Sequence, residues 1–321
     1  MILDLLLIIV GLTLVVWGAD KLTEGASSLA RGMKVPEMVI GLTIVAAGTS
    51  APELFVSMVS ALKGTPDMAV ANVVGSNVFN TLLIVGCSAV VAPMTISPMT
   101  VKKDMPFSVV ASLLLFILAM DDFSSFSLAG HDISRLDSLV LLGCFIFFMG
   151  YNLRIARRHD VSSSSDTSAE VHVSSSPLLS LCWVAIGLAC LIVGSNLFVD
   201  HASAVAQQWG VSDRVIGLTI VAGGTSMPEL ATSVVAAMKG RSAIAIGNVI
   251  GSNVFNVFAI LGLTAMISPL HLSGISFIDM MTLAVSILLV WWFSFTKFTV
   301  SRLEGLTLIL IFSGYMVSLF V

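Results

Sequence analysis

Two short stretches concentrate oxygen chemistry in an otherwise apolar chain: GTSAPE at residues 48–53 and GTSMPE at 224–229. Each sets a hydroxyl pair and a carboxylate inside a run long enough to cross a membrane: Thr49, Ser50 and Glu53, then Thr225, Ser226 and Glu229. A charged carboxylate at mid-membrane costs roughly 2.5–3.5 kcal/mol or more, so it needs a partner. No Lys or Arg lies at matching depth, which leaves a cation or a proton. Thr49 and Glu53 are spaced i, i+4 and Ser50 and Glu53 i, i+3, which places them on one helix face; the second stretch repeats the spacing. Pro52 supplies no N–H and crowds the carbonyl of Gly48. Backbone freed in this way is tolerated at membrane depth where it lines a cavity or meets an ion. The carbonyls of Ala46, Ala47, Ala222 and Gly223 are therefore candidate ligands.

Downstream of each stretch stands GSNVFN, at 75–80 and 251–256. Ser76 and Asn80 are i, i+4, as are Ser252 and Asn256. Carboxylate, amide, hydroxyl and carbonyl oxygens suit a hard cation: calcium takes 6–8 of them, two carboxylates match its charge, and sodium is compatible with the same set. Asn77 and Asn253 fall one step off that face and are expected to glue helices together or to hold the site from behind. Gly75 and Gly251 read equally well as small-residue packing. Thr43 and Thr219, a turn and a half from the break, have an equal structural reading.

The elements that must position these residues are membrane helices. Of 321 residues, 57% are hydrophobic and only 11% charged, with mean hydropathy +1.03; a soluble domain has about 25% charged residues. Apolar runs predict ten spans, at 2–18, 36–62, 67–92, 105–120, 136–153, 177–200, 212–238, 243–268, 277–295 and 303–320. The N-terminal run lacks a positive leader and carries Asp4, so it reads as a retained helix rather than a signal peptide. Residues 157–177 are serine-rich and charged and read as a flexible linker, with His159 and His172 as linker residues. Cys87, Cys144, Cys182 and Cys190 lie in apolar runs at irregular spacing. They suggest neither disulfides nor a zinc site, and are expected to be buried small residues. No basic block of the kind that binds nucleic acid is present.

Lys and Arg sort by loop. Loops after odd-numbered spans hold Lys21, Arg31, Lys34, Lys102, Lys103, Arg154, Arg157, Arg158, Lys239, Arg241, Lys297 and Arg302; the others hold Lys63, Arg135 and Arg214. The positive side is cytoplasmic, which puts both termini outside, in the periplasm if the membrane is a bacterial inner membrane.

Residues 41–86 and 217–262 align without a gap at a constant offset of 176, with about 28 of 46 positions identical. Five spans per half is an odd number, so the second copy threads the membrane in the opposite sense. Inverted repeats with Gly/Pro-broken helices at matching positions point to a midplane site in a secondary transporter. The expected fold is all-α: ten transmembrane helices as two inverted five-helix repeats, residues 1–153 and 177–321, joined by a cytoplasmic Ser-rich linker at 154–176.

GTSAPE with GSNVFN, and GTSMPE with GSNVFN, resemble the paired alpha-repeats of the calcium/cation antiporter superfamily, in particular its prokaryotic sodium/calcium exchangers. The resemblance implies exchange of calcium for sodium by alternating access, with spans one and six sliding over a core that holds the ions. It implies ligands from Ala46, Thr49, Ser50, Glu53, Ser76 and Asn80 in the first repeat. The second repeat supplies Ala222, Thr225, Ser226, Glu229, Ser252 and Asn256. Members of this branch often carry Asp where this chain has Asn256, leaving two site carboxylates here and keeping proton coupling as the alternative. A passive channel is disfavoured because the chain builds a complete pseudo-symmetric site by itself. An intramembrane enzyme is disfavoured too, since His131, His159, His172, His201 and His271 lie in loops or near span ends. The expected partners are the lipid bilayer and small cations, calcium and sodium or protons. No cofactor or nucleic acid is expected, and the sequence does not fix the oligomeric state.

Overall fold

A computed structural model describes residues 1–64, 67–119, 132–162, 177–210, 220, 222–272 and 275–319. The protein is mostly helical. Its principal helices are α1 (Ile2–Gly32), α2 (Glu37–Thr49), α3 (Ala51–Leu62), α4 (Met68–Val91), α5 (Met105–Leu118), α6 (Arg135–Ser162), α7 (Pro177–Gln208), α8 (Met227–Met238), α9 (Ser242–Ile267), α10 (Phe277–Phe295) and α11 (Arg302–Ser318). Among the described residues six helices are long and apolar enough to cross a membrane: α1, α4, α6, α7, α9 and α10. The pair α2 and α3, bent by 46° at its junction, makes a seventh. α5 and α11 are shorter, with 14 and 17 residues. Of the expected span at 212–238, residues 212–219 and 221 lie outside the described residues.

Several helices outrun the apolar stretch that announced them. α1 extends from the expected end at 18 to Gly32, and α7 from 200 to Gln208. α6 continues to Ser162, past the expected boundary at 153, so the first part of the expected linker is helix. Residues 163–176 lie outside the described residues. Polar turns such as ADKLTEGASS keep helical propensity, and apolarity marks only the part of a helix that meets lipid.

Burial sorts the helices into a core and a jacket. In its most apolar window α9 is 94% buried and α4 72%, against 22% for α1 and 33% for α7. Between the repeat halves, α1 and α7 pack antiparallel along a seam of small residues at seven-residue spacing. Gly11 meets Gly194, Gly18 meets Gly187 and Gly25 meets Ser180. A Cβ at Gly187 would lie 2.6 Å from the Leu22 nitrogen, and one at Gly18 would lie 2.8 Å from the Gly187 oxygen, so only glycine permits this backbone approach. The repeat offset carries Gly11 onto Gly187 and Gly18 onto Gly194, so the two helices present the same face to each other.

Two small antiparallel strand pairs join distant loops. Met94–Thr95 pairs with Thr299–Val300, and Asp132–Ile133 with Leu270–His271. Capping boxes start α10 (Ser276 with Asp279) and α11 (Ser301 with Glu304). All four cysteines are free. None is buried: Cys87, Cys144 and Cys190 are half-covered and Cys182 is exposed. Cys144, Cys182 and Cys190 lie on the less buried helices α6 and α7, and Cys87 lies on α4.

Candidate functional site

Ser50 is where the α2–α3 helix breaks. Its backbone (φ −83°, ψ 9°) leaves the helical region, and Pro52 occupies the first turn of α3. A proline there loses nothing, since that N–H would have no helical partner. Ser226 repeats the geometry (φ −89°, ψ 7°) ahead of Pro228 and α8, after the helical turn Ala222–Thr225. The break changes the expected arrangement. Thr49 closes one helix, Ser50 is the pivot and Glu53 lies in the first turn of the next, so the three do not share one continuous helix face.

The hydroxyls cross between the repeats. Ser50 donates to Glu229 Oε1 at 2.8 Å, not to its own Glu53. Ser226 lies 3.2 Å from Glu53 Oε1 and 3.4 Å from the Ser76 hydroxyl. Glu53 and Glu229 are each 1% exposed, and neither forms an ion pair among the described residues. Thr49, Ser50, Ser76, Asn80, Ser226, Ser252 and Asn256 are buried around them. Thr225 is half-buried. The Ala46 carbonyl takes the Ser50 amide at 3.0 Å and the Thr49 hydroxyl at 3.3 Å, so the oxygen expected to be freed by the break is engaged. Ala222 opens the matching turn.

Asn80 and Asn256 sit in π-helical turns, Phe79–Ile84 and Phe255–Leu261. Such turns widen a helix locally and recur at functional sites. Each amide N–H₂ is held by the asparagine of the other repeat. Asn80 donates to Asn253 Oδ1 at 3.2 Å, and Asn256 to Asn77 Oδ1 at 2.9 Å. Asn77 also donates to the Asn253 carbonyl at 3.2 Å, and Asn253 to Thr81 at 2.9 Å. Asn77 and Asn253 thus glue α4 to α9 and also fix which end of each ligand amide faces the centre.

Of the ten buried side-chain atoms left without a hydrogen-bond partner among the described residues, five lie on candidate ligands: Glu53 Oε2, Glu229 Oε2, Asn80 Oδ1, Asn256 Oδ1 and Ser252 Oγ. Buried polar atoms are nearly always paired. Five orphans gathered on candidate ligands, four of them pure acceptors, fit a cation. Among the described residues no three His, Cys, Asp or Glu side chains cluster, so the donor set is that of a hard ion and not of zinc or copper.

Sequence reasoning passed over Asn72 and Asn248. Asn72 donates to the Glu53 carbonyl at 3.3 Å and to Ser57 at 3.1 Å. Asn248 does the same for the Glu229 carbonyl at 3.4 Å and Ser233 at 3.0 Å, and its oxygen accepts from Thr49 at 3.0 Å. Both pairs sit at the 176 offset, and polar identity between the repeats was the available signal. Thr43 spends its hydroxyl on the Val39 carbonyl at 2.6 Å, a structural role. Thr219 lies outside the described residues.

A multi-pass helical protein with two buried glutamates inside a shell of neutral oxygens is, by class, a membrane transporter of small cations. The sequence profile of the sodium/calcium exchanger proteins matches residues 3–154 and 179–321, and the chain belongs to that family. It is 36% identical to the putative antiporter CaxA of Alkalimonas amylolytica, over all of this chain and 99% of that one. It is 32% identical to the sodium/calcium exchanger MaX1 of Methanosarcina acetivorans, over 99% and 98%. The inner membrane protein YrbG of Escherichia coli is 35% identical over 84% of this chain and 81% of its own. The fold matches the sodium-calcium exchanger NCX_Mj, solved after soaking with sodium and no calcium, with TM-score 0.82 and 29% identity over 99% of both chains. Of these relatives, CaxA is named a putative antiporter, and MaX1 and NCX_Mj are named sodium/calcium exchangers.

Proposed function

We propose that this chain exchanges calcium for sodium across the membrane by alternating access. The observation that carries the reading is the group of donor-less buried oxygens on Glu53, Glu229, Asn80, Asn256 and Ser252. The ligand set is Thr49, Ser50, Glu53, Ser76 and Asn80 with Thr225, Ser226, Glu229, Ser252 and Asn256, and the Ala46 and Ala222 carbonyls complete it. Two carboxylates carry two negative charges, which one calcium, two sodium ions or two protons would cancel. Charged and empty, they oppose passage through the low-dielectric middle of the bilayer. Loaded, they permit it, and that difference produces exchange instead of leak. For Ala46 to join the shell, the Thr49 hydroxyl must turn away from its carbonyl.

The reading includes an architecture: ten spans in two inverted halves, residues 1–153 and 177–321, joined by a cytoplasmic segment at 154–176. The protein sits in the inner membrane of the cell with both termini outside. The strand pairs support it. Met94–Thr95 and Thr299–Val300 fall after spans three and nine, both assigned inside; Asp132–Ile133 and Leu270–His271 fall after spans four and eight, both assigned outside. An odd error in the number of spans between the paired loops would pair loops across the membrane. In this reading α1 and α7, joined by their glycine seam, shift as one body over the core of α4 and α9.

The site also motivates a second reading, calcium/proton exchange. Asn at both 80 and 256 leaves two carboxylates, and each has one oxygen on which a proton could sit. Calcium uptake into proteoliposomes loaded with sodium, compared with acid-loaded vesicles without sodium, separates the two. Sodium-driven uptake supports the first reading and proton-driven uptake the second. No uptake in either, from folded protein, would overturn calcium as the substrate.

A further inference from the structure

A hydroxyl that binds a cation must turn its proton away from the ion, and in a buried site that proton needs an acceptor. The Thr49 hydroxyl has two within reach, the Ala46 carbonyl at 3.3 Å and Asn248 Oδ1 at 3.0 Å. The first choice silences a candidate ligand. A backbone carbonyl has two lone pairs. The Ser50 amide takes one of those on Ala46, at 3.0 Å. A Thr49 proton on the other leaves that oxygen nothing for an ion. A Thr49 proton on Asn248 leaves one lone pair of Ala46 free and turns the lone pairs of Thr49 toward the ion.

Asn248 accepts only if its amide oxygen faces Thr49, and its other contacts decide that. The Glu229 carbonyl, 3.4 Å away, carries no proton and can meet only the amide nitrogen. Ser233 sends its own proton toward the Ala245 carbonyl at 3.5 Å, so it accepts from the same nitrogen at 3.0 Å. Both N–H bonds of Asn248 are thus engaged, and Oδ1 is left to Thr49. Thr49, Ser233 and Asn248 are fully buried, so bulk water does not compete for these bonds. The short side chain reaches across because α9 lies close against α2. A Cβ on Gly247 would lie 3.0 Å from the Met38 oxygen, and one on Gly251 2.6 Å from the Leu42 oxygen.

We propose that Asn248 is a positioning residue that takes the Thr49 proton, frees the Ala46 carbonyl for the ion and so sets the preference for calcium over sodium. This rests on the reading of Thr49 and Ala46 as ligands and decides how many oxygens the ion receives. Calcium takes 6–8 oxygens. The pull of an ion on a carbonyl dipole grows in proportion to its charge, so losing Ala46 costs calcium about twice the free energy that it costs sodium.

The test is titration calorimetry of calcium and of sodium on the full-length protein in detergent. Asn248→Leu keeps the volume and removes the acceptor. It should weaken calcium about 10- to 100-fold, the usual effect of losing a partner behind a ligand. Sodium should weaken by about the square root of that factor, about 3- to 10-fold. Thr49→Val removes the proton itself, so adding Asn248→Leu to it should cost less than about three-fold more in calcium affinity. Asn248→Asp keeps an oxygen toward Thr49 and should lose no more than about three-fold, and it carries the test if Asn248→Leu does not elute as monodisperse protein. Equal losses for the two ions, the same cost of Asn248→Leu with and without Thr49→Val, or an Asn248→Asp as weak as Asn248→Leu would each overturn the role of Asn248 and leave the proposed function standing. If the parent protein binds calcium but not sodium, the comparison with Thr49→Val decides alone. Binding of neither ion by the parent would bring down the ligand set, and this inference with it.

Discussion

Glu53 and Glu229 are equivalent in sequence and nearly so in surroundings: each 1% exposed, each receiving a serine from the other repeat, each with a donor-less Oε2. Replacing either with Gln keeps the shape and removes the charge that draws the cation. Glu53→Gln and Glu229→Gln should each cut calcium flux in proteoliposomes at least about 100-fold. Thermal stability should hold or rise, because removing an unpaired buried charge relieves desolvation. Wild-type flux in either variant would sink the two-carboxylate site. Asn253 tests the layer behind. It orients Asn80 through its own oxygen, and loss of such a partner costs about 10- to 100-fold in metal affinity. Asn253→Ala should weaken calcium binding by about that factor in titration calorimetry, and Asn77→Ala should act likewise through Asn256. Affinity unchanged in both would reduce these asparagines to packing.

At the scale of elements, the glycine seam holds α1 and α7 in backbone contact. A methyl added at Gly187 would strike the Leu22 backbone, which cannot give way as a side-chain tip can. Gly187→Ala should lower stability by about 1–3 kcal/mol, the usual cost of overpacking, and slow exchange with it. Gly314, where a Cβ would meet no described atom within 4 Å, is the control and should tolerate alanine in the same melting assay. Equal melting temperatures for Gly187→Ala and the parent protein would mean that the helices separate at little cost and do not move together.

For the whole molecule, the question is threading. Thr95 and Asp132 are exposed in the two strand pairs, on loops assigned to opposite sides. In a cysteine-free background, Thr95→Cys should react with an impermeant thiol reagent only from the cytoplasm and Asp132→Cys only from the periplasm. Reaction of both from one side would refute the ten-span topology.

The amino-acid sequence by itself determined what depends on short-range chemistry. Apolar runs place the helices, because lipid rewards contiguous hydrophobicity. Pro52 and Pro228 place the breaks, because a missing N–H acts on its own turn. The 176-residue repeat singled out the residues that gather in the site. Helix ends were less legible: the polar half of α1, from Ala19 to Gly32, is helical for reasons that hydropathy does not register. Only the tertiary structure decided that Ser50 serves Glu229 instead of its neighbour Glu53, since the fold brings the two breaks face to face. It decided that the Ala46 carbonyl is engaged, and that Asn77, Asn253, Asn72 and Asn248 set the geometry from behind. Two near-identical repeats encode near-identical local geometry, so their sequences alone do not distinguish one face from the other. Contacts between helices far apart in the chain, Gly251 against Leu42 and Lys239 against Asp20, form only when the halves pack.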